Sequence, residues 1–391
     1  MNAIRLWWLS AILALLPTYL IRFNIGPFPS TFLEVLVVVF LFVTLIFEYK
    51  NIPGLKRLGK INIFTSLFVI SGIIAVAASP ETYKALGQLK AFIVEPVLFF
   101  YAIVLTIKHP QDYRAPLTGL LVGSLGVSIF GVIQHWTGIW LPLRFWGYSE
   151  GVLRITSFFE HPNALALYLG PILGFFFALR QKHSTLVNRT LLNWSLPVLA
   201  LSLFFTYSRG AWLAVICAVI FLSIRKYSLR LVLPATIILV LLGAWLIPSA
   251  ADRIRLADSS DEARLGLYKV AANKILESPL VGNGLHGFRT TLTEANFAGE
   301  VLNYPHNIFM NFWLEMGLLG LLAFALIFNA ALSRHKLQPS AITLSVAIFL
   351  FVLLIHGLVD APYFKNDLSL LFWFMVALIY VPQISETKTA Q

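Results

Sequence analysis

Long runs of apolar residues recur along the whole chain and constrain its fold more than any other feature. A run of about 17 to 25 such residues is enough to cross the hydrocarbon core of a bilayer as an α-helix. We identify about twelve segments of this kind. They lie at residues 4–21, 31–47, 61–78, 88–107, 116–134, 162–179, 194–208, 210–224, 231–247, 306–328, 340–357 and 367–382. The sequence therefore predicts an all-α polytopic integral membrane protein, with residues 1–391 as a single transmembrane domain.

The composition excludes the soluble classes of protein. Of the 391 residues, 58% are hydrophobic and only 12% are charged, whereas soluble proteins carry about 25% charged residues. A soluble protein of this length could not cover so much apolar surface. Cys217 is the only cysteine, which excludes an intrachain disulfide and a structural zinc site built on cysteines.

The basic residues are distributed as a membrane topology requires, and they do not predict nucleic acid as a partner. The formal net charge is +11. With the N-terminus placed in the cytoplasm, sixteen of the 29 basic residues lie on the inner side and seven lie in short outer loops. The other six lie in one long loop at 248–305, and long loops cross the membrane largely regardless of their charge. The positive-inside rule therefore predicts that both termini are cytoplasmic and that this loop is outside.

The loop at 248–305, between the ninth and tenth predicted spans, is the one extramembrane segment long enough to hold a folded element. Asp261 and Glu262 suit the positive end of a helix dipole, so we predict a helix near 261–278. Pro279 and the following glycine-rich turn end that helix.

Several familiar catalytic signatures are missing from the sequence. It contains no Walker loop, no His-Glu-x-x-His, no Gly-x-Ser-x-Gly and no Asp-x-Asp. These patterns would supply nucleotide-binding or metal-binding groups. We therefore predict a reaction that uses no cofactor and no metal ion.

Two arginines on the predicted outer side are candidate ligands of a phosphate group. Arg209 lies at a turn between two strongly apolar helices, where a charge is costly unless it is paired or faces a polar cavity. A guanidinium binds phosphate oxygens through two parallel hydrogen bonds. The alternative for Arg209 is an interfacial side chain that reaches the lipid headgroups. Arg264, on the loop helix, would on its own be read as a solvated surface charge.

His306 is the candidate general base. It follows Tyr304-Pro305 and precedes Asn307, where the chain re-enters the membrane at the start of a helix. A helix N-terminus disfavours the imidazolium and keeps the ring neutral, as a base requires. A lone residue of this kind is otherwise an ordinary interfacial histidine, and His161, before Pro162, has a similar position and competes for the role.

Further polar residues in or near the spans allow different interpretations. His356 and Asp360 flank the end of the eleventh span and could form a polar support, or could simply be buried. Carboxyl groups within apolar spans are costly and often functional. Proton-coupled transport would use such groups, although each could instead be protonated and packed against neighbouring helices. The residues concerned are Glu34, Glu95 and Glu315.

The stretch Tyr207-Ser208-Arg209-Gly210-Ala211-Trp212 resembles the signature of the O-antigen ligase and polymerase superfamily of bacterial envelope glycosyltransferases. The resemblance runs from about residue 150 to residue 375, and the order of its pieces is more specific than any one of them. The other pieces are Arg264 with Tyr268 and Ala271, Pro279-Leu280-Val281-Gly282-Asn283-Gly284, Pro305-His306-Asn307, Glu315 with Gly317-Leu318-Leu319-Gly320, Arg154 with Phe158, Pro162 and Asn163, and Gly357-Leu358-Val359-Asp360. Tyr268 stands where the family commonly has tryptophan, which leaves the helix assignment intact.

The resemblance implies a function and a set of site residues. Members of the family transfer a glycan from a polyprenyl (undecaprenyl) pyrophosphate donor on the periplasmic side of the inner membrane. The acceptor is the lipid A-core in ligases and another lipid-linked glycan in polymerases. By this resemblance Arg209 and Arg264 would bind the pyrophosphate and His306 would act on the acceptor hydroxyl. The candidate supporting residues on the same side are Arg154, Lys90, His161, Asn307 and Asp360.

Two hypotheses from different classes follow. The first is a metal-independent glycan transferase in contact with membrane lipids, its donor and its acceptor. The second is a transporter or flippase for an anionic lipid or solute, which would use the same arginines as a binding site. A transporter would not need a long outer loop that carries one of the key residues. Within the first class, the sequence does not separate a ligase from a polymerase, because both use the same donor chemistry.

Overall fold

The computed structural model describes residues 2–26, 28–146, 153–182, 184–224, 259–297 and 299–381. Helices dominate these residues. The ninth predicted span, at 231–247, and the first part of the long loop, at 248–258, lie outside the described residues.

The helices follow the predicted apolar segments closely. They are α1 (Asn2–Ala14), α2 (Phe32–Glu48), α3 (Lys60–Ala77), α4 (Thr82–Gln88), α5 (Glu95–Thr106), α6 (Arg114–Thr137), α7 (Pro162–Gln181), α8 (Arg189–Phe205), α9 (Arg209–Ile224), α10 (Ser259–Glu277), α11 (Phe288–Glu294), α12 (Ile308–Leu337), α13 (Ala341–Gly357) and α14 (Asn366–Tyr380). A short π-helical segment, Leu89–Val94, joins α4 to α5. Among the described residues, six helical stretches are long and apolar enough to cross a membrane, and four shorter helices are also apolar. The chain is therefore a multi-pass membrane protein, while the count of twelve spans and the side on which each terminus lies stay predictions.

The first predicted span, at 4–21, ends earlier than expected. Helix α1 stops at Ala14 and a 3₁₀ turn, Leu16–Leu20, follows it, because Pro17 has no N–H to continue the α-helical ladder. Two short antiparallel strands, β1 (Arg22–Ile25) and β2 (Phe28–Thr31), come next. Gly26, with a φ of 59°, supplies the left-handed turn between them. The prediction of an all-α fold is thus incomplete by one hairpin.

Small residues let the helices approach closely in the centre of the bundle. Helix α6 lies against α1 and α8, α7 lies against α13, and α14 lies against α5. A methyl group on Gly119 of α6 would lie 2.2 Å from the carbonyl oxygen of Ser10, and one on Gly123 would lie 2.3 Å from that of Ala14. Close backbone contact of this kind is a general means of helix association in membranes.

The helix at 308–337 is interrupted. The sequence predicted a span at 306–328 and did not predict this interruption. At Gly317 the backbone has a φ of 65° and a ψ of −174°. The turn that follows α10 docks against this break, since the N–H of Leu318 donates to the oxygen of Pro279 (3.2 Å). The indole Nε1 of Trp313 donates to the same oxygen (2.8 Å). The loop between α10 and α12 is thereby fixed to the middle of α12.

Gly317→Ala should destabilise the protein strongly. The new Cβ would lie 2.1 Å from the oxygen of Leu280, and alanine disfavours the positive φ. We expect a loss of at least about 1–3 kcal/mol, measured as a lower melting temperature in detergent. Gly126→Ala is the control, because nothing lies within 4 Å of a Cβ at that exposed position of α6. Equal melting temperatures for the two variants would contradict the role of the break.

Candidate active site

The start of α9 lies against the end of α13. A methyl group on Gly210 would lie 2.6 Å from Cγ2 of Val359 and 3.1 Å from Cδ2 of His356. Only glycine allows the first turn of α9 to approach α13 this closely. Arg209, the residue before this glycine, therefore lies beside the segment that carries Asp360.

Helix α10 joins the same region through Tyr268. The hydroxyl of Tyr268 lies 3.1 Å from the oxygen of His306 and 3.4 Å from that of Leu358, and donates to this pair of carbonyl groups. Arg264 lies four residues earlier, so it occupies the same face of the helix one turn away. The buried side of α10 is apolar. Its residues Leu267, Ala271 and Ile275 form one cluster with Phe288, Leu292 and Leu314. The prediction of a helix near 261–278 is confirmed over its length by Ser259–Glu277.

His306 and Asp360 form a hydrogen-bonded pair. Nδ1 of His306 lies 2.9 Å from Oδ1 of Asp360, whose side chain is only 3% exposed, against 18% for the histidine. The N–H of Ala361 also donates to Oδ1 (2.9 Å). Burial alone would raise the pKa of Asp360, but the neighbouring rings of His306 and His356 and these hydrogen bonds hold it below its ordinary value. The carboxylate is therefore ionised at neutral pH.

This pair sets the tautomer of His306. A carboxylate can only accept, so the proton of the neutral ring lies on Nδ1 and the lone pair lies on Nε2. The sequence left open whether His356 and Asp360 form a polar support or are simply buried, and the structure gives Asp360 a different hydrogen-bond partner, His306. Nδ1 of His356 is buried and has no hydrogen-bond partner within the described part of the chain.

Asn307 fixes the start of α12 beside the same loop. Its Oδ1 accepts the N–H groups of Phe309 and Met310, at 3.0 Å each, which caps the helix. Its Nδ2 donates to the oxygen of Leu358 (3.0 Å). One side chain thus connects the helix that follows His306 to the loop that carries Asp360.

Two non-glycine residues next to these groups have left-handed backbones. The φ angle is 54° at His306 and 52° at Tyr207, two residues before Arg209. Such conformations cost about 1–3 kcal/mol each and persist only where the surroundings hold them. At His306, the backbone oxygen accepts a hydrogen bond from Tyr268 and the ring is hydrogen-bonded to Asp360. These two contacts hold the residue in place.

Arg154 is buried and connects two helix ends. Its Nε donates to the oxygen of Thr206 (3.0 Å) and one terminal nitrogen donates to Oδ1 of Asn163 (2.9 Å). It therefore supports the turn that precedes α9. Gln134 supports the segment that carries Arg154, because its Oε1 accepts the N–H groups of residues 156 and 157, each at 2.8 Å. Gln134 could not be predicted from the sequence, because a single glutamine in an apolar helix belongs to no pattern.

His161 caps α7. Its Nδ1 accepts the N–H of Asn163 (3.2 Å), so the proton of the neutral ring lies on Nε2. Burial, together with the positive charge of Arg154, lowers the pKa of His161 to about 4. At neutral pH this ring is uncharged, and its lone pair is occupied by the backbone of α7.

Lys90 lies in a different group of residues. Its Nζ is 3.0 Å from Oε2 of Glu34, which caps α2 together with Thr31, and it donates to the oxygen of Pro29 (3.1 Å). Asn366 donates to the other oxygen of Glu34 (2.9 Å). Lys90 thus connects the hairpin to Glu34 of α2, and Glu34 in turn connects to Asn366 of α14. The other two carboxyl groups that the sequence places in apolar spans, those of Glu95 and Glu315, are buried. Throughout the described ranges, no three His, Cys, Asp or Glu side chains converge to hold a metal ion.

Comparison with known proteins agrees with the resemblance seen in the sequence. A family model described as O-antigen ligase matches residues 194–325, a region that contains Arg209, Arg264 and His306. The chain is also 23% identical over 321 residues to an O-antigen ligase of Salmonella typhimurium (strain LT2). That match covers 75% of this chain and 76% of the relative. Together with the motifs at positions 207–212 and 305–307, these matches show that the chain is similar to O-antigen ligases.

Proposed function

We propose that this protein is a membrane glycosyltransferase of the O-antigen ligase type. It transfers a glycan from a polyprenyl (undecaprenyl) pyrophosphate donor to a hydroxyl of a lipid A-core acceptor, on the periplasmic side of the bacterial inner membrane. The observation that carries the proposal is the hydrogen-bonded pair of His306 and Asp360 beside the start of α9. The similarity to O-antigen ligases supports it.

His306 acts as the general base. The acceptor oxygen attacks the anomeric carbon of the donor sugar, its proton passes to Nε2, and the bond from that carbon to the pyrophosphate oxygen breaks. Asp360 keeps the proton of the resting ring on Nδ1 and stabilises the imidazolium that forms. Proton transfer to a positioned base contributes about 10²–10⁴ in rate.

The hydrogen bonds favour His306 over His161 for this role. At His161 the lone pair already accepts a backbone N–H, so the ring has only a proton to offer at Nε2. At His306 the two ring nitrogens have the opposite roles, because Nδ1 carries the proton and Nε2 keeps the lone pair. We therefore assign His161 to the positioning of α7 and the base to His306.

Arg209 and Arg264 bind the pyrophosphate. The leaving group carries negative charge that increases as the glycosidic bond breaks, and fixed cations in a partly dry site stabilise it more than water does. Two guanidinium groups present paired donors to phosphate oxygens, and no metal ion is required in this scheme. Arg154 acts indirectly, through the turn that places Arg209.

A polymerase with the same donor is the nearest alternative, and the acceptor distinguishes the two. The transporter hypothesis has less support, because Glu34, one of its three carboxyl groups, is engaged as a helix cap and as the partner of Lys90.

Purified protein should release polyprenyl pyrophosphate from a lipid-linked glycan when lipid A-core is added, and should do so in excess EDTA. The arginines would carry the charge of the leaving group without a metal ion. Product identification by mass spectrometry gives the measurement. Transfer to a second lipid-linked glycan in place of lipid A-core would identify a polymerase. Activity that is lost with EDTA and restored by magnesium would disprove metal independence.

His306→Ala should leave donor binding intact and slow transfer by about two to four orders of magnitude. Asp360→Asn should also slow transfer, because the amide can no longer fix the tautomer or stabilise the imidazolium. Single-turnover rates and donor affinity separate chemistry from binding. His161→Asn, which replaces the capping Nδ1 by an amide oxygen that can also accept the N–H of Asn163, should reduce the rate by a few-fold at most. A larger loss for His161→Asn than for His306→Ala would transfer the role of base to His161.

Arg209→Lys and Arg264→Lys should lose most of the donor affinity although each keeps its positive charge. An ammonium group cannot reproduce the planar fork of the guanidinium on two phosphate oxygens. Arg289→Lys is the matched control, since Arg289 is exposed on α11. Donor binding by all three variants, with melting temperatures to verify folding, gives the test. Wild-type affinity in both site variants would refute bidentate phosphate binding.

A further inference from the structure

A groove lies at the end of the bundle opposite the candidate active site. Its volume is about 470 Å³, within the range of small-molecule sites. One wall is the 3₁₀ segment Tyr49–Leu58, which connects α2 to α3. The lining residues are Ile52, Pro53, Leu55, Lys56, Asn62 and Tyr101.

The segment that forms this wall is basic. Between Tyr49 and Lys60 the chain has four basic residues and no acidic one, and Lys56, Arg57 and Lys60 are all exposed. Over the described ranges, Lys56 and Lys60 form no ion pair with a carboxylate. Lys56, which lines the groove, and nearby Lys60 therefore present positive charge that no described carboxylate neutralises.

The nearest acidic residue cannot neutralise this charge. Glu48 precedes the segment, and its side chain is 4% exposed. Arg5 lies 2.7 Å from one of its oxygens and Lys108 lies 2.6 Å from the other. Asn51 donates to it as well. Because Arg5 and Lys108 occupy its carboxylate, Glu48 does not offset the charge of Lys56 and Lys60.

The groove is mostly apolar, and Asn62 and Tyr101 contribute polar groups to its lining. The hydroxyl of Tyr101 donates to Oδ1 of Asn62 (3.0 Å) and lies 2.7 Å from Oγ1 of Thr65. On the outside, α2 and α3 expose large apolar side chains to the surrounding lipid: Phe42, Leu45, Ile46, Ile63, Ile70 and Ile73. A ligand that fits must combine a negatively charged, hydrogen-bonding head with a hydrocarbon tail.

We infer that this groove binds the headgroup of an anionic phospholipid. The phosphate lies against Lys56 and is near Lys60, the polar head reaches Tyr101 and Asn62, and the acyl chains lie along α2 and α3. The positive-inside prediction places this end at the cytoplasmic face, where anionic headgroups attract basic segments. The inference is independent of the reaction at the other end of the bundle, and it adds a second lipid ligand.

Native mass spectrometry of the full-length purified protein, titrated with dioleoyl phosphatidylglycerol, gives the test. One lysine near a membrane surface is worth about 1 kcal/mol, so Lys56→Gln should weaken binding about fivefold. Ile52→Trp keeps every charge but fills the groove, and should weaken binding as well. The matched control is Lys182→Gln, which removes an exposed charge at the end of α7, outside the groove. It should bind as the wild type does.

Two competitors identify the ligand class. Dioleoyl phosphatidylcholine has the same tails without net charge and should bind much more weakly. Inorganic phosphate at millimolar concentration should not displace the lipid, whereas displacement would indicate a free-phosphate site and overturn the inference. Equal losses for Lys56→Gln and Lys182→Gln, with none for Ile52→Trp, would indicate only diffuse surface attraction and would overturn it too. Lys56→Arg, which keeps the charge, should retain binding and guards against a folding defect.

Discussion

The ends of helices impose the main constraint on this structure, because lipid cannot satisfy the backbone groups left without partners there. Several of the described helices meet that requirement with side chains at their N-termini. Thr31 and Glu34 cap α2, His161 caps α7 and Asn307 caps α12. Two of these caps border the candidate active site, so the groups that complete the helices also fix the geometry around His306.

Two of the non-glycine residues with a positive φ lie in the same region. They are His306 and Tyr207, and each lies two residues before the first residue of a helix that contributes to the site. The hydrogen bonds of Tyr268 to the 306 and 358 carbonyls connect α10 to two of the segments concerned.

The sequence predicts the helices well because membrane spans need long apolar runs and little else. The predicted span at 162–179 corresponds to α7, and the loop helix predicted near 261–278 corresponds to α10. The hairpin after α1 and the break at Gly317 could not be predicted in this way. Both depend on a local φ angle and on a distant segment that packs against it, and neither alters the apolar pattern.

The sequence indicates which polar residues are candidates for the site, but it does not indicate which of them contact each other. The sequence left open whether His356 and Asp360 form a polar support or are simply buried, and the hydrogen-bond partner of Asp360 is His306, which is 54 positions distant. Lys90 was grouped with the site by its predicted side of the membrane, and its contacts are with Glu34 and the hairpin. Motifs identify which residues matter, while the packing of α9, α10 and α12 decides which of them meet.

The attachment of the Pro279 turn to α12 has a mechanical consequence. Hydrogen bonds from Leu318 and Trp313 to Pro279 lock the end of α10 to the break in α12, on the same side as His306. Arg264 lies on α10 and His306 stands before α12, so this attachment limits how far the two residues can move apart. The contact of Gly210 with Val359 and His356 ties the start of α9 to the segment that carries Asp360, and so to the same region.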